Sequence, residues 1–451
     1  MTRPNSITTN YSYDNLSRLL SVLHQSGSTT LDGASYTVDN AGNRTAKTDQ
    51  YANVTSNYTY DPIYELTQVT QATNTTESYT YDAVGNRLSS LGVSSYTNNS
   101  SNELTSTSNA TYTYDYNGNT QTKVVGSNTT SFAWDYENRL SSVTLPGSGG
   151  TVSFKYDPFG RRIYKSSSSG TSVFAYDGDN LIEETNSSGT AVARYAQTTN
   201  VDEPLAMLRG GATSFYQSDG LGSISSLTNA SGAVAQTYTY DSFGKATASS
   251  GTLTNPFQFT AREFDAESGL YFLRNRYYDP QSGRFLNEDP LGFGGDDANF
   301  YAYVQNGPVD SVDPFGLQHK PGGPWHPDPW VKFACKWTDS CSALSTKIGI
   351  FKSLIAGHIA FDVATNQPGR HSDDIATFTN GLANCIAIHK AKCTNKQCPP
   401  EDTPVPVPVP APQREPFRVP APTPQAAANA IVGIGIVVII IIAILGSPAG
   451  I

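Results

Sequence analysis

The feature that most constrains this chain is a motif that recurs along its first half: aromatic-x-aromatic-Asp, a turn with Gly or Asn, then Arg-Leu-x-x-Val. It reads YSYDNLSRLLSV (11–22), YTYDPIYELTQV (58–69), YTYDAVGNRLSSL (79–91), YTYDYNGN (112–119), FAWDYENRLSSV (132–143), FKYDPFGRRI (154–163), FAYDGDNLIEET (174–185) and YTYDSFGKAT (238–247). The aligned aspartates are Asp14, Asp39, Asp61, Asp82, Asp115, Asp135, Asp157, Asp177, Asp219 and Asp241. Most steps are 20 to 25 residues, the step from Asp82 to Asp115 is irregular, and that from Asp177 to Asp219 is a double period. Alternating aromatics make a strand with one face of rings. Asp followed by Asn, Pro or Gly makes a turn, and the second run returns as a strand. Each unit is therefore expected to be a β-hairpin, stable only when stacked on its neighbours. In this reading the rings pack, the aspartates cap turns, and none is catalytic.

Composition agrees. The chain of 451 residues has room for more than one domain. Only 37% of it is apolar and 15% charged, yet it holds 26 Tyr, 19 Phe and 4 Trp. Low hydrophobicity with many aromatics indicates a polar, strand-rich protein rather than disorder. The net charge of −10 and the lack of a basic run argue against a nucleic-acid partner. No secretory signal stands at the N-terminus, and the chain enters the repeat almost at once, as a truncated chain or the tail of a larger system would.

The repeat resembles the YD repeats of Rhs proteins, the C components of insecticidal toxin complexes, and teneurins. Over residues 11–317 that resemblance implies a spiralling β-sheet closed as a hollow shell around a C-terminal cargo. About a dozen units suggest a partial, open shell. Residues 1–264 are assigned to it.

Residues 265–317 form a seam, dense in aromatics and glycines. GLYFLRNRYYDPQSGRFLNEDPLGF and NFYAYVQNGPVDSVDPFGL (within 269–317) resemble the Rhs-associated core. In that family two Asp-Pro-x-Gly units form an aspartyl self-cleavage site that cuts after the Leu of the second. Carried over, the carboxylates are Asp289 and Asp313, the scissile bond is Leu317–Gln318, and Arg284 matches a basic residue near the site. The chemistry is coherent. Two close carboxylates cannot both ionise, so one can activate water while the protonated one polarises the carbonyl.

Residues 318–398 read as a small, mainly helical, cysteine-containing variable domain. Leu344, Ile348, Phe351, Ile355 and Ile359 form one helical stripe, and Ile375, Phe378, Leu382, Cys385 and His389 another. Ser372 with Asp373 and Asp374 caps the second helix. The disulfide candidates are Cys335, Cys341, Cys385, Cys393 and Cys398. Cys385 and Cys393, two helical turns apart at about 12 Å, cannot pair with each other. A zinc site from Cys385, His389, Cys393 and Cys398 is the sharper alternative, although its spacing matches no standard finger. His358, His371 and His389 with Asp362 and Asp373 could form a hydrolase or nuclease site, but no motif supports it. In Rhs proteins this region is variable and often toxic.

Residues 399–425 are a Pro-rich linker, semi-rigid and extended. Residues 426–446 run without a charge for long enough to span a bilayer. Arg414 and Arg418 precede this span and would place the bulk of the chain in the cytoplasm, in conflict with disulfides. The expectation is a bacterial Rhs-type carrier, secreted or membrane-associated. Its C-terminal module would be released by self-cleavage, and it would need no cofactor. Partners would be the membrane, a secretion apparatus, an upstream shell-forming chain or an immunity protein. The alternatives are a non-enzymatic repeat scaffold for adhesion or carbohydrate contact, and a truncated fragment.

Overall fold

The computed structural model describes residues 1–295 and 297–317, and the backbone of Lys320 and Pro321. The expectations for 318–398, 399–425 and 426–446 therefore lie outside the described residues, including the cysteine, histidine and membrane assignments. Among the described residues no helix is long and apolar enough to cross a membrane.

Each repeat is a β-hairpin, and one carboxylate organises its turn. Asp157 Oδ1 accepts the backbone N–H of Phe159 at 2.9 Å and of Arg161 at 3.0 Å, while its Oδ2 takes the Arg161 Nε at 2.7 Å. Asp14 with Arg18 and Asp135 with Arg139 repeat this geometry, and Asn86 and Asn119 replace the arginine on Asp82 and Asp115. The fourth residue of the turn has a positive φ, for example Gly160 at 80° and Asn138 at 58°, a left-handed conformation that Gly and Asn adopt readily. Asn99 does the work of aspartate, accepting Ser101 N and Glu103 N. It supplies the turn missing from the irregular step between Asp82 and Asp115. Asp177 departs the other way: it pairs with Asn180 across a two-residue turn.

A β-bulge after each turn explains the Leu-x-x-Val spacing. Ser12 pairs with Ser21 but Tyr13 pairs with Leu19, so one residue of the returning strand is extra. The same shift occurs at Tyr60, Tyr81, Tyr114, Trp134 and Tyr156. Alternation would put residues three apart on opposite faces; the bulge resets the phase. Leu19 and Val22, Leu66 and Val69, and Leu140 and Val143 thus all point inward and are buried. The second aromatic of each motif does more than pack. Tyr60, Tyr81, Tyr156, Tyr176 and Tyr240 each donate their hydroxyl to the carbonyl that opens the return strand of the preceding hairpin, residues 44, 66, 140, 162 and 224. Trp134 Nε1 does the same to Thr120 O. Each of these six hairpins is pinned to the one before it.

The hairpins join in sequence order into an antiparallel sheet of eight strands, Ile7 to Ser90, and another of sixteen, Tyr96 to Ser250. The sheet winds until its beginning meets its end. Asp32 accepts the hydroxyls of Ser225 and Ser226, Asn5 donates to Thr228, His24 bonds Ser218 O, and Lys47 pairs with Asp219 at 2.6 Å. At the overlap a Cβ on Gly220 would lie 2.7 Å from Leu19 Cδ2 and 2.8 Å from the Tyr36 hydroxyl, so only glycine permits this approach.

After Ser250 the chain leaves the sheet, earlier than the seam drawn at residue 265, and fills the wound sheet with a plug. Strands Glu263–Asp265, Leu270–Leu273, Arg276–Asp279 and Arg284–Phe285 form a small sheet of their own. Every residue of Leu270–Leu273 and Arg276–Asp279 is buried. Tyr271, Tyr278 and Phe285 share a core with Leu66, Val69 and Tyr79; Phe257 with Met207, Tyr216 and Leu227; and Phe272 and Tyr277 with Phe132, Leu140 and Phe154. The plug also spans the gap between the two sheets. Asn299 donates to Asn86 Oδ1 at 2.8 Å, and Tyr301 to Gly118 O at 2.8 Å. The fold is mainly β, as expected; its interior over the described residues is plug rather than empty space.

Candidate active site

The two Asp-Pro-x-Gly units converge on one arginine. Strand Arg276–Asp279 runs through the middle of the plug, where aromatic neighbours bury it on both faces. A buried guanidinium needs carboxylates, and Arg276 finds two. Its Nη2 lies 2.8 Å from Asp289 Oδ2 and 3.5 Å from Asp313 Oδ2, so the two oxygens are separated by no more than the sum of these distances. The three side chains are 3%, 7% and 3% exposed. The Arg276 guanidinium carbon also sits 3.5 Å from the centre of the Phe285 ring.

The same group grips the chain leading to Leu317. Arg276 Nε donates to Gly316 O, and Asp313 Oδ1 accepts the Leu317 N–H at 3.0 Å. Gly316 has a φ of 68°, and a Cβ there would lie 2.5 Å from Leu273 O. A Cβ on Gly295 would lie 2.7 Å from Asp289 Oδ2 and 3.1 Å from the Leu317 carbonyl oxygen. Glycine at both positions is what lets the Leu317 carbonyl, Asp289 and Arg276 crowd together. Beside them is a cavity of about 20 Å³, lined by Arg276, Asp289, Gly295, Asp297, Asp313 and Leu317, room for one water molecule.

Burial pushes the Asp289 carboxyl above its usual range, with the Arg276 charge and the Leu291 N–H opposing it. Burial raises Asp297 in the same way, and Asp289 adds to it. Burial lowers the Arg276 guanidinium, against the pull of Asp289 and Asp313. One cation facing two carboxylates is electrically neutral only when one carboxylate keeps its proton.

Asp289, Asp313 and Leu317 are thus brought together; Gln318 lies outside the described residues. Arg284 is not at the pair. Its guanidinium reaches Asn98 Oδ1 and Asn102 O and lies over the Tyr301 ring, because its strand ends at the gap between the two sheets. It braces plug to shell, and the basic residue of the site is Arg276. Sequence reasoning missed Arg276 and Asp297. An arginine inside an aromatic, wholly buried run was a usable signal for the first; nothing in the spacing marks the second. Cys335, Cys341, Cys385, His389, Cys393 and Cys398 lie outside the described residues.

Residues 49–309 match the teneurin YD-shell family. The chain belongs to that family. The YD shell is 33% identical over 273 residues to the tRNA nuclease WapA of Bacillus subtilis, covering 57% of this chain and 12% of that protein. It is 30% identical over 317 residues to double-stranded DNA deaminase toxin A of Burkholderia cenocepacia, covering 62% of this chain and 22% of that one. It is 34% identical over 200 residues to the probable deoxyribonuclease RhsA of Dickeya dadantii, 42% of this chain and 14% of that one. The chain therefore spans between about an eighth and a quarter of the length of these relatives. Among solved structures it is similar to the Photorhabdus luminescens Tc holotoxin pore, with a TM-score of 0.59 and 21% identity over 72% of this chain and 18% of that chain. It is also similar to TcdB2-TccC3, with a TM-score of 0.54, 20% identity and 70% and 19% coverage. At these identities the likeness is one of fold. Rhs-type, toxin-like proteins are its kin.

Proposed function

We propose that this YD shell is the carrier part of an Rhs-type toxin, and that it cuts its own chain between Leu317 and Gln318 to free the residues that follow. The reading rests on Asp289 and Asp313 meeting at one guanidinium against the Leu317 carbonyl. Asp289, whose carboxyl burial raises above its usual range, gives its proton to the carbonyl oxygen, and Asp313 takes a proton from the attacking water. The tetrahedral centre collapses as the C–N bond breaks: Asp313 passes the proton it took to the Gln318 nitrogen, and a hydroxyl of the centre returns one to Asp289. Leu317 leaves as a carboxylic acid and Gln318 as an amine, and both carboxyl groups are back in their starting states. Arg276 holds the Gly316 carbonyl and balances the pair through the reaction. The nuclease and deaminase names of the relatives support a toxic module beyond residue 317, with an upstream shell-forming segment, a secretion apparatus and an immunity protein as partners. Membrane contact through 426–446 belongs to the same proposal.

Intact mass spectrometry of the expressed full chain tests it. A fragment beginning at Gln318 is expected from wild type and only full-length chain from Asp289→Asn and Asp313→Asn. Full-length wild-type chain, with neither substitution changing anything, would refute the cut. The depth of the group supports a second reading, a brace without chemistry. That reading expects both substitutions to lower the unfolding midpoint while the fragment pattern stays that of wild type.

A further inference from the structure

One turn of the plug holds the chain before Leu317 at three successive carbonyls. Arg274 and Asn275 join strands Leu270–Leu273 and Arg276–Asp279. Arg274 Nη1 donates to Pro314 O. Asn275 donates to Phe315 O twice, from its backbone N–H at 3.1 Å and from its Nδ2 at 3.0 Å. Arg276 Nε donates to Gly316 O. The Arg274 guanidinium carbon also lies 5.2 Å from the centre of the Phe315 ring. Residues 313–317 belong to no strand, so these carbonyls have no ladder to satisfy them, and side chains of the turn supply the donors.

Arg274 is an unusual residue for this place. Its φ is 56°, left-handed, where turns ordinarily use glycine or asparagine. Such a conformation persists when the surroundings fix it. Asp202 Oδ1 accepts Nη2 at 2.8 Å, Asp202 Oδ2 accepts Nη1 at 3.2 Å, and Asp179 O accepts Nη2 at 3.1 Å. Both acceptors stand on turns of the shell, Asp179 between strands Gly170–Asp177 and Asn180–Thr185, and Asp202 between Ala191–Gln197 and Pro204–Arg209. Asp202 is fixed in turn by Arg262, whose Nη1 donates to its Oδ1 and whose Nη2 donates to Phe272 O at 2.9 Å. The guanidinium of Arg274 thus ties the wall of the shell to Pro314.

We propose that Arg274 and Asn275 are positioning residues for the cut after Leu317. With Arg276 they fix the carbonyls of Pro314, Phe315 and Gly316, so that the next carbonyl, that of Leu317, stands against Asp289. The inference rests on the self-cleavage reading above. Every hydrogen bond of this clamp goes to main chain, so the bond to be cut is chosen by its distance along the backbone. A reacting group displaced by about 1 Å loses about a hundredfold in rate, and the clamp is what keeps the Leu317 carbonyl from sliding.

Pulse–chase translation of the full chain in a cell-free extract tests this. Both methionines, Met1 and Met207, precede the cut, so labelled methionine follows the shortening of the chain. Arg274→Met should slow the cut at least about tenfold and Asn275→Ala about fivefold. Asn275→Ser keeps a side-chain donor and should stay within about twofold of wild type. Asn275→Asp sets an acceptor against the Phe315 carbonyl and should be slower than Asn275→Ala near neutral pH. Chased into buffer of about pH 4, where the introduced carboxyl regains a proton to donate, it should recover relative to wild type at the same pH. Asn275 is exposed, so its variants should leave the urea midpoint unchanged when compared in the uncut Asp313→Asn chain. Wild type that is cut while Arg274→Met and Asn275→Ala are cut just as fast would overturn the clamp alone. Wild type that stays whole would overturn the cut, and the clamp with it. Slow cutting by Asn275→Ala with a lowered midpoint, and no further slowing by Asn275→Asp, would make the turn a brace and also overturn the proposal.

Discussion

Arg162 carries the strongest stability prediction in the molecule, because it is where shell and plug meet through charge. Its Nη2 lies 2.7 Å from Glu263 Oε2 and its Nη1 2.5 Å from Asp265 Oδ2, with side-chain exposures of 2%, 4% and 1%. Nη1 also donates to the Tyr277 hydroxyl at 3.1 Å. Arg162→Met keeps most of the volume and removes the cation, leaving two carboxylates in the core. Breaking one partner out of a buried pair costs about 3–5 kcal/mol. Lys165 Nζ, 3.2 Å from Asp265 Oδ1, still neutralises one of the two, so the expected loss lies near 3 kcal/mol. Urea unfolding of the full chain, followed by circular dichroism, reads it as a lowered midpoint at constant slope. The triple variant Arg162→Met, Glu263→Gln, Asp265→Asn has no stranded charge and should recover at least about half of the loss. A single variant within about 1 kcal/mol of wild type, or a triple variant no better than the single, would refute the claim that paired charges hold the plug.

The other expectations are smaller and independent. Tyr156→Phe removes the 2.6 Å bond to Leu140 O and should cost about 1 kcal/mol; no change in urea midpoint would reduce the hairpin-to-hairpin bond to packing alone. Asp241 is raised from 3.8 to about 7, by burial first and then by Glu77. A carboxyl raised on folding contributes stability below its unfolded pKa, and that contribution is lost as pH rises towards 7. The span is at most about 4 kcal/mol. Asp241→Asn keeps an acceptor for the Phe243 and Lys245 N–H groups, so its midpoint should vary less between pH 4 and 7 than that of wild type. Equal pH dependence in the two proteins would count against it.

The hairpin was legible because everything that makes it is local. Asp157, its turn glycine and Arg161 span five residues, and any chain segment carrying them closes the same turn. Legibility failed where another residue could do the same job: Asn99 hid a turn because an amide oxygen accepts the same two N–H groups as a carboxylate. Asp177 was aligned as one of the series although its turn is of another kind. The paired Asp-Pro-x-Gly units pointed to Asp289 and Asp313, since each motif carries its own carboxylate. The choice of arginine did not follow. Arg276 and Arg284 are eight residues apart in one aromatic-rich segment, and only the plug's packing sends the first to the carboxylates and the second to Asn98 and Asn102.

The division is therefore one of range. By itself the sequence determined the repeat, most of the turn chemistry and the β class, all of which rest on contacts within one hairpin or one motif. The tertiary structure alone decided that Asp32 meets Ser225 and Ser226 where the sheet overlaps itself, and that Arg162 and Arg276 lie opposite their carboxylates. Those contacts join residues far apart in the chain. They depend on how far each hairpin is rotated from the last, a sum over many small twists that no single motif records.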